Sequence, residues 1–511
     1  MSGLPALLLA LLLSASLVVA DQPQYGHAWT RNLASPVRGL PERFDPATGE
    51  NVRWSARLGD ETHSTPVIAG GRVFIGTNNG EPRDARRPGD RGVLMCLTEA
   101  TGELLWQLVV PKREFDPYYD WPKSGISSPA TVAGDRAYLV DNRGSLLCLD
   151  VHGLANGNDG PFTGEAAYFT PVVTNDVGRL VAGTPLPLGS LDADIVWKLE
   201  LPAEAGIWSH DAAHSSVLVH GDHLYLNTGT GVDNTHRRIR TPDAPSLIAV
   251  DRRTGRWLAR DREGIAPNIF HCTWSPPSLG RVDGRDLVFF AAGNGIVYAF
   301  EPLPPDFVAA AGGPAGLRKV WQFDFDPGAP KAEVHRYNQN RAEGPSNFYG
   351  MPVFLDGRIY LAGGGDWFWG KNAAWLRCFD AAGTGDITAT ALRWSAPLNR
   401  RTMSTPAMAD GLAYVADSMR VLHCVDADTG APVWTHELRG EVWASALVAD
   451  GRVYLGSRRG DFWVLAHGRE KQVLHTVELG SPISATAVAA NGVLYVASMT
   501  HLHALAAGAA K

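Results

Sequence analysis

Five stretches of this chain gather the residue types that do chemistry. IWSHDAAHSS carries Trp208, His210, Asp211 and His214; VDNTHRR carries Asp233, Asn234, His236 and Arg237; FHCTWS carries His271, Cys272 and Trp274. VHRYNQNRAEG adds His335, Arg336 and Arg341, and GDWFWGKN adds Asp366, Trp367, Trp369 and Lys371. Imidazole, carboxylate and thiol are the ligands of borderline divalent metals. The same groups also form hydrogen-bonded networks that fix long loops. His210 and His214 stand four apart, but in a loop and strand start, where that spacing does not turn both rings to one face. No metal is assigned on this basis. Trp367 and Trp369 are two apart, so an extended backbone would point both rings the same way as a stacking platform for a sugar or a quinone.

Three further features carry weaker signals. LANGNDGPF at 154–162 is an oxygen-rich loop through Asn156, Asn158 and Asp159, short of the acidic count of a calcium loop. Arg83, Arg86, Arg87 and Arg91 alternate with Asp84 and Asp90, which reads as a solvated, self-paired loop. Cys272 stands apart from the other four cysteines as the candidate accessible thiol.

Positioning these stretches is the task of a repeated unit. VDADTGAPVW, from Val425 to Trp434, has an aspartate opening a turn, Thr429-Gly430 closing it and a tryptophan four residues after the glycine. LTEATGELLW ending at Trp106, VDRRTGRWLA to Ala259, FDPATGENVRW to Trp54 and CFDAAGTGDITATALRW to Trp394 are variants of it. Asp and Thr cap tight turns, and glycine takes the positive φ that other residues resist. The flanks alternate apolar and polar, so the unit is strand, turn, strand. Cys96, Cys148, Cys378 and Cys424 share one strand position before that turn, which makes them buried thiols too far apart to bridge.

The period is about 40 residues with four strands, the size of a propeller blade. An inner strand of the kind STPVIAG recurs through SSPATVAG, HSSVLVHG, SPPSLGRV, GMPVFLDG, STPAMADG, ASALVADG and SATAVAANG, giving eight blades. The last has three strands, and Phe44–Trp54 supplies a spare turn and final strand. The expected fold is therefore an all-β, eight-bladed propeller of four-stranded antiparallel blades, closed by an N-terminal strand. It would span residues 21–511 as one domain, with an insertion at 151–192.

The chain has 511 residues and a formal net charge of −7, which offers no basic footprint for nucleic acid. Residues 1–20 form an apolar run ending in small residues, with Val18 and Ala20 at the −3 and −1 positions of a signal-peptidase site. The reading is an exported protein, periplasmic or secreted, with no membrane span after cleavage.

These blades resemble the pyrroloquinoline-quinone-type (PQQ-like) repeat, Ala-x-Asp-x-x-Thr-Gly-x-x-x-Trp, which Ala427 to Trp434 follows in its second half. The resemblance implies two directions. BamB-like propellers are non-catalytic periplasmic binding proteins of outer-membrane assembly. Quinoprotein alcohol and glucose dehydrogenases hold PQQ and calcium on the propeller axis. The alcohol dehydrogenases carry an adjacent cysteine pair, and no two cysteines here are neighbours; no C-x-x-C-H haem site is present.

The long insertions fall in two loop classes that share one face of a propeller. Outer-to-inner loops are Pro111–Ser127, Leu201–His214, Arg262–Ser275 and Asp324–Phe348; second-to-third loops are Asn78–Arg91, Gly229–Pro245 and Gly364–Ala374. Insertions gathered on one face build sites. The expectation is a binding or scaffold propeller whose loop-rich face, off-centre toward blades three to five, takes a protein, peptide or carbohydrate. No catalytic residue or cofactor is assigned. The alternative is a PQQ-dependent oxidoreductase with calcium.

Overall fold

The computed structural model describes residues 20–27, 29–113, 119–211, 216–310 and 312–509. The signal-peptide reading therefore falls outside the described residues, save Ala20. Eight antiparallel sheets follow one another along the chain as blades. Blade one shows the pattern: Val67–Ala69, Arg72–Asn78, Arg91–Thr98 and Leu104–Pro111, each paired with the next.

Blade eight is completed from the other end of the chain. Val52–Arg57 pairs antiparallel with His501–Leu505, setting Trp54 opposite Ala504. Closure removes the sheet edge that an open ring would expose.

The repeated tryptophan explains the repeated glycine. Trp54, Trp106, Trp197, Trp321, Trp394 and Trp434 each donate the indole N–H to a carbonyl of the following blade, at 2.8 to 3.1 Å. Four of these rings lie against a glycine of that blade: Trp54 on Gly102, Trp106 on Gly153, Trp197 on Gly255 and Trp394 on Gly430. A Cβ on Gly430, at φ 72°, would sit 2.5 Å from Trp394, and one on Gly102, at φ 75°, 2.5 Å from Trp54. Six of the eight blades are thus fastened to the next by an indole, and truncation of a buried one is worth about 3–5 kcal/mol; in blade three Trp257 donates instead to Ala259 of its own strand. In blade seven His475 takes the place, its Nε2 3.0 Å from the Phe44 carbonyl.

The N-terminal segment does more than sequence reasoning anticipated. Residues 20–27 and 29–35 run along the free edges of the inner strands, close to the turns into the second strands. Gln22 bridges Ile68 of blade one, and the Pro23 carbonyl accepts from Val132 of blade two. The carbonyls of Trp29, Thr30 and Leu33 accept from Leu279, Phe354 and Val448 of blades four, five and seven. Asn32 exchanges two hydrogen bonds with Met408 of blade six, and Ala20 bonds Asn491 of blade eight. Arg31, fully buried, donates to Ser216 before blade three and to the Pro277 carbonyl before blade four. Ala34–Ser35 adds a parallel strand beside Leu447–Ala449. This strap closes the channel at the end away from the long loops.

The insertion after Asp150 forms a short helix, Glu165–Tyr168, and a hairpin of Val172–Thr174 with Leu180–Ala182. It wraps the rim of blade one, and here the solvated arginine loop needs correction. Arg86 pairs with Asp84 in solvent as expected, but Arg87 and Arg91 are 2% and 7% exposed. Arg87 pairs with Asp192 over the Phe169 ring, and Arg91 donates to the Phe169 carbonyl, because the insertion covers them.

Candidate functional site

The loops entering blades three, four and five meet the second-to-third loops of blades three and five over the ring. Backbone bonds lock them together. Val232 donates to the His271 carbonyl at 2.9 Å, Gln339 to that of Trp369 at 2.8 Å, and Asn372 to that of Arg341 at 2.9 Å. Gly231 makes the approach possible, since a Cβ there would lie 2.6 Å from the His271 oxygen and 2.8 Å from the His210 Cβ.

At the junction three imidazoles face one another. The His210 ring lies 4.8 Å from His236 and 4.7 Å from His271, and His236 lies 5.5 Å from His271. His210 and His271 are 0% and 2% exposed; His236 is at the rim. The far nitrogen of each buried ring is set by its partner: His210 Nδ1 lies 3.0 Å from the Val232 carbonyl, and His271 Nδ1 lies 3.0 Å from Asp366 Oδ2. Each therefore turns Nε2 inward, where it has no hydrogen-bond partner among the described residues. Asp211 stands beside them, Oδ2 3.5 Å from His210 Nε2.

The electrostatics divide the three rings. Burial and then the neighbouring His271 and His236 push His210 well below the usual imidazole range. Burial and His271 lower His236 also. Burial opposes charge on His271, but the Asp366 carboxylate outweighs it and leaves its pKa raised. Asp366 is completely buried and is held well below the usual carboxylate range by His271, the Tyr349 hydroxyl and the Trp369 amide, against the cost of burial. Burial lifts Asp211 to about 6.

Around this floor stand Trp274, Phe368 and Trp369, all partly exposed, with Trp369 4.7 Å from the His236 ring. The platform expected of Trp367 and Trp369 is not built. Asp366 Oδ1 accepts from the Phe368 and Trp369 amides at 3.0 and 2.8 Å, which curls the segment into a turn. Trp367 is consequently buried and sent toward Trp443, while Trp369 joins His236.

The other predicted residues take different roles. Lys371 is buried against Asp326, and Arg341 donates to the Phe368 and Gly370 carbonyls, so both brace the loop. His335 Nε2 lies 3.0 Å from the Ile269 carbonyl, outside the trio. Trp208 sits under the Arg240 guanidinium at 3.7 Å. Asn234, Arg237 and Arg336 are exposed, and Arg336 pairs with Glu333. His214 lies outside the described residues. Cys272 is 0% exposed and burial raises its thiol well above the usual range, so it is no more accessible than the other four. Sequence reasoning missed Tyr349 and Asn347, which both donate to Asp366 Oδ2 from the loop entering blade five. Only their place in a long insertion pointed to them.

The donor set suits a borderline divalent cation better than calcium. Calcium takes six to eight oxygens, whereas the floor presents imidazoles, and the Asp366 carboxylate is already committed to His271, Asn347 and Tyr349. These residues do not fit the calcium of a quinone site. A separate cavity of about 270 Å³ lies between blades one and two, lined by Lys112, Arg113, Arg143 and Glu200.

Residues 38–153 and 372–508 match the family model described as "Outer membrane protein assembly factor BamB". No curated protein matches the chain. Among solved structures, BamB from Moraxella catarrhalis is 12% identical, with 89% of this chain and 97% of that one covered and a TM-score of 0.49. The quinohemoprotein alcohol dehydrogenase of Comamonas testosteroni is 13% identical, with coverage of 96% and 81% and a TM-score of 0.42. The computationally designed Ika8 protein is 9% identical, with coverage of 89% and 99% and a TM-score of 0.49. With its tryptophan-docked turns, eight blades and the matched family model, this chain belongs to the PQQ-like β-propeller family.

Proposed function

We propose that this protein is an exported binding propeller whose loop-rich face recognises a protein, peptide or carbohydrate partner. One observation carries the reading: loops from blades three, four and five interlock into a single basin with a buried polar floor and a partly exposed aromatic rim of Trp274, Phe368 and Trp369. Aromatic rims give rigid, amphipathic contact area to peptide side chains and sugar rings alike. The strap at the opposite end leaves this as the face with the long loops. The description of the matched family as an outer membrane protein assembly factor supports a binding role in the envelope. No helix among the described residues is long and apolar enough to cross a membrane.

The test is a peptide and glycan array probed with the purified chain, followed by titration of the best ligand with Trp369→Ala and Phe368→Ala. Loss of at least about tenfold in affinity, roughly 1.4 kcal/mol, with the melting temperature kept, supports the reading. Binding unchanged by either substitution would place recognition elsewhere. Dye reduction dependent on added PQQ and calcium would favour the oxidoreductase instead.

A further inference from the structure

We propose that His210, His236 and His271, with Asp211 beside them, bind one divalent cation of the zinc class. The ligand atoms of the three rings lie within 4.8 Å of one another. In a tetrahedral site with metal–nitrogen distances near 2.0–2.1 Å the nitrogens stand roughly 3.3 Å apart, so sub-ångström shifts of each ring close the site. Two further observations point to a ligand. The Nε2 atoms of His210 and His271 are buried and have no hydrogen-bond partner among the described residues, a costly arrangement for two buried ring nitrogens. Both rings also carry the support that metal-bound imidazoles use, a carbonyl on one Nδ1 and the Asp366 carboxylate on the other. Asp366 is then a positioning residue, holding the His271 ring and its tautomer.

The ion would lie in the floor of the same basin proposed for recognition, and it deepens that reading by giving the basin a fixed positive charge for a carboxylate or hydroxyl of the partner. The test needs no partner. Metal-stripped protein is titrated with Co²⁺, read by its visible bands and by stoichiometry, then by displacement with Zn²⁺. The expected result is one ion per chain with tetrahedral-type absorption. His236→Gln at the rim should abolish it with the stripped protein's melt unchanged, and Asp366→Asn should weaken binding about 10- to 100-fold. His210→Gln and His271→Gln should abolish it too, and His236→Gln keeps the test decisive if those two fold poorly. Substoichiometric binding, or stoichiometric binding indifferent to His236→Gln, overturns the proposal. Neither outcome touches recognition by the rim, and a rim that binds no partner leaves the titration as it stands.

A second, independent cluster lies where the insertion joins blade two. Asp150, Asp159 and Asp194 bring carboxylate oxygens within 4.8 Å of one another. Asn156 and Asn158 of the same loop are exposed. Glu165, near enough for its charge to act on Asp194, is 0% exposed, and among the described residues neither of its carboxylate oxygens, nor one oxygen of the equally buried Asp194, has a hydrogen-bond partner. Arg136 pairs with Asp150. Buried carboxylates without partners are retained when a cation joins them. We infer that Asp150, Asp159, Asp194 and Glu165 hold a calcium ion that fastens the insertion to blade two. Tb³⁺ luminescence displaced by Ca²⁺, together with a Ca²⁺-dependent rise in melting temperature, is expected in the native chain and lost in Glu165→Gln. A chain indifferent to Ca²⁺ up to ~1 mM, the weak end of protein sites, or one whose response survives Glu165→Gln, overturns it.

Discussion

Asp366 of blade five reaches His271 on the loop entering blade four, with Oδ2 3.0 Å from Nδ1. Both side chains are buried, at 0% and 2% exposure. The pair therefore ties two neighbouring blades together at the floor of the basin and sets which imidazole nitrogen faces inward. Tyr349 and Asn347 donate to the same oxygen, and the Phe368 and Trp369 amides to the other.

Removing one member of a buried pair strands the other. Asp366→Ala should cost about 3–5 kcal/mol, read by denaturant unfolding, and Asp366→Asn should recover part of that. A loss below ~1 kcal/mol for the alanine variant would show that the floor relaxes without it.

The tryptophan-on-glycine contact makes a sharper test of the ring. Gly430→Ala puts a methyl 2.5 Å from Trp394 on a residue at φ 72°. Strain and clash together should destabilise by roughly 2–4 kcal/mol. Gly411→Ala, with a similar φ of 74° and open space around its Cβ, should cost only the strain, about 1 kcal/mol. Equal losses would mean the docked indole adds nothing.

Arg31 is the anchor of the strap, donating to Tyr25, Ser216 and Pro277 while fully buried. Arg31→Met keeps much of the volume and leaves those acceptors unmet, so a loss of about 3–5 kcal/mol is expected. Hydrogen exchange should quicken in the inner strands it borders. Protection unchanged at Leu279 and Phe354 would contradict a closing role for the strap.

Acid should loosen the closure. His503 is 6% exposed, opposite Ser55 of the N-terminal strand, with Ser55 Oγ 2.8 Å from its Nδ1. Burial, then the neighbouring His501, lowers its pKa to about 4. The unfolded imidazole, near ~6.5, takes its proton first, so stability rises with pH across this interval. The contribution, on the order of 3 kcal/mol, is whole above ~6.5 and is lost as pH falls through the folded value. His503→Gln should flatten that slope in unfolding curves taken between about pH 4 and pH 7; an unaltered slope would assign the acid sensitivity elsewhere.

All five cysteines should resist thiol reagents in the native protein. Each is buried, and burial lifts Cys378 to about 11 and Cys424 to about 12. Stopped-flow labelling in native buffer and in denaturant checks this; a single fast native phase, at Cys272 or any other position, would refute it.

The ring was legible because its determinants are local and repeated. The Asp-x-x-Thr-Gly turn and the period-two flanks act within one blade, the tryptophan that follows acts between neighbours, and eight blades repeat one register. The spare strand ending at Trp54 announced closure because blade eight lacked a fourth. The loop-rich face followed from where the extra length lies. The basin's interior did not follow. His210, His236, His271 and Asp366 sit on four separate loops, and no spacing along the chain encodes distances across the top of a ring. Trp367 and Trp369 parted because Asp366 bonds the turn between them, a choice made by the buried carboxylate and not by alternation. Arg87 and Arg91 read as solvated until an insertion from the next blade covered them. The strap at 20–35 left no pattern to find, because it is held mainly through backbone groups of strands spread around the whole ring.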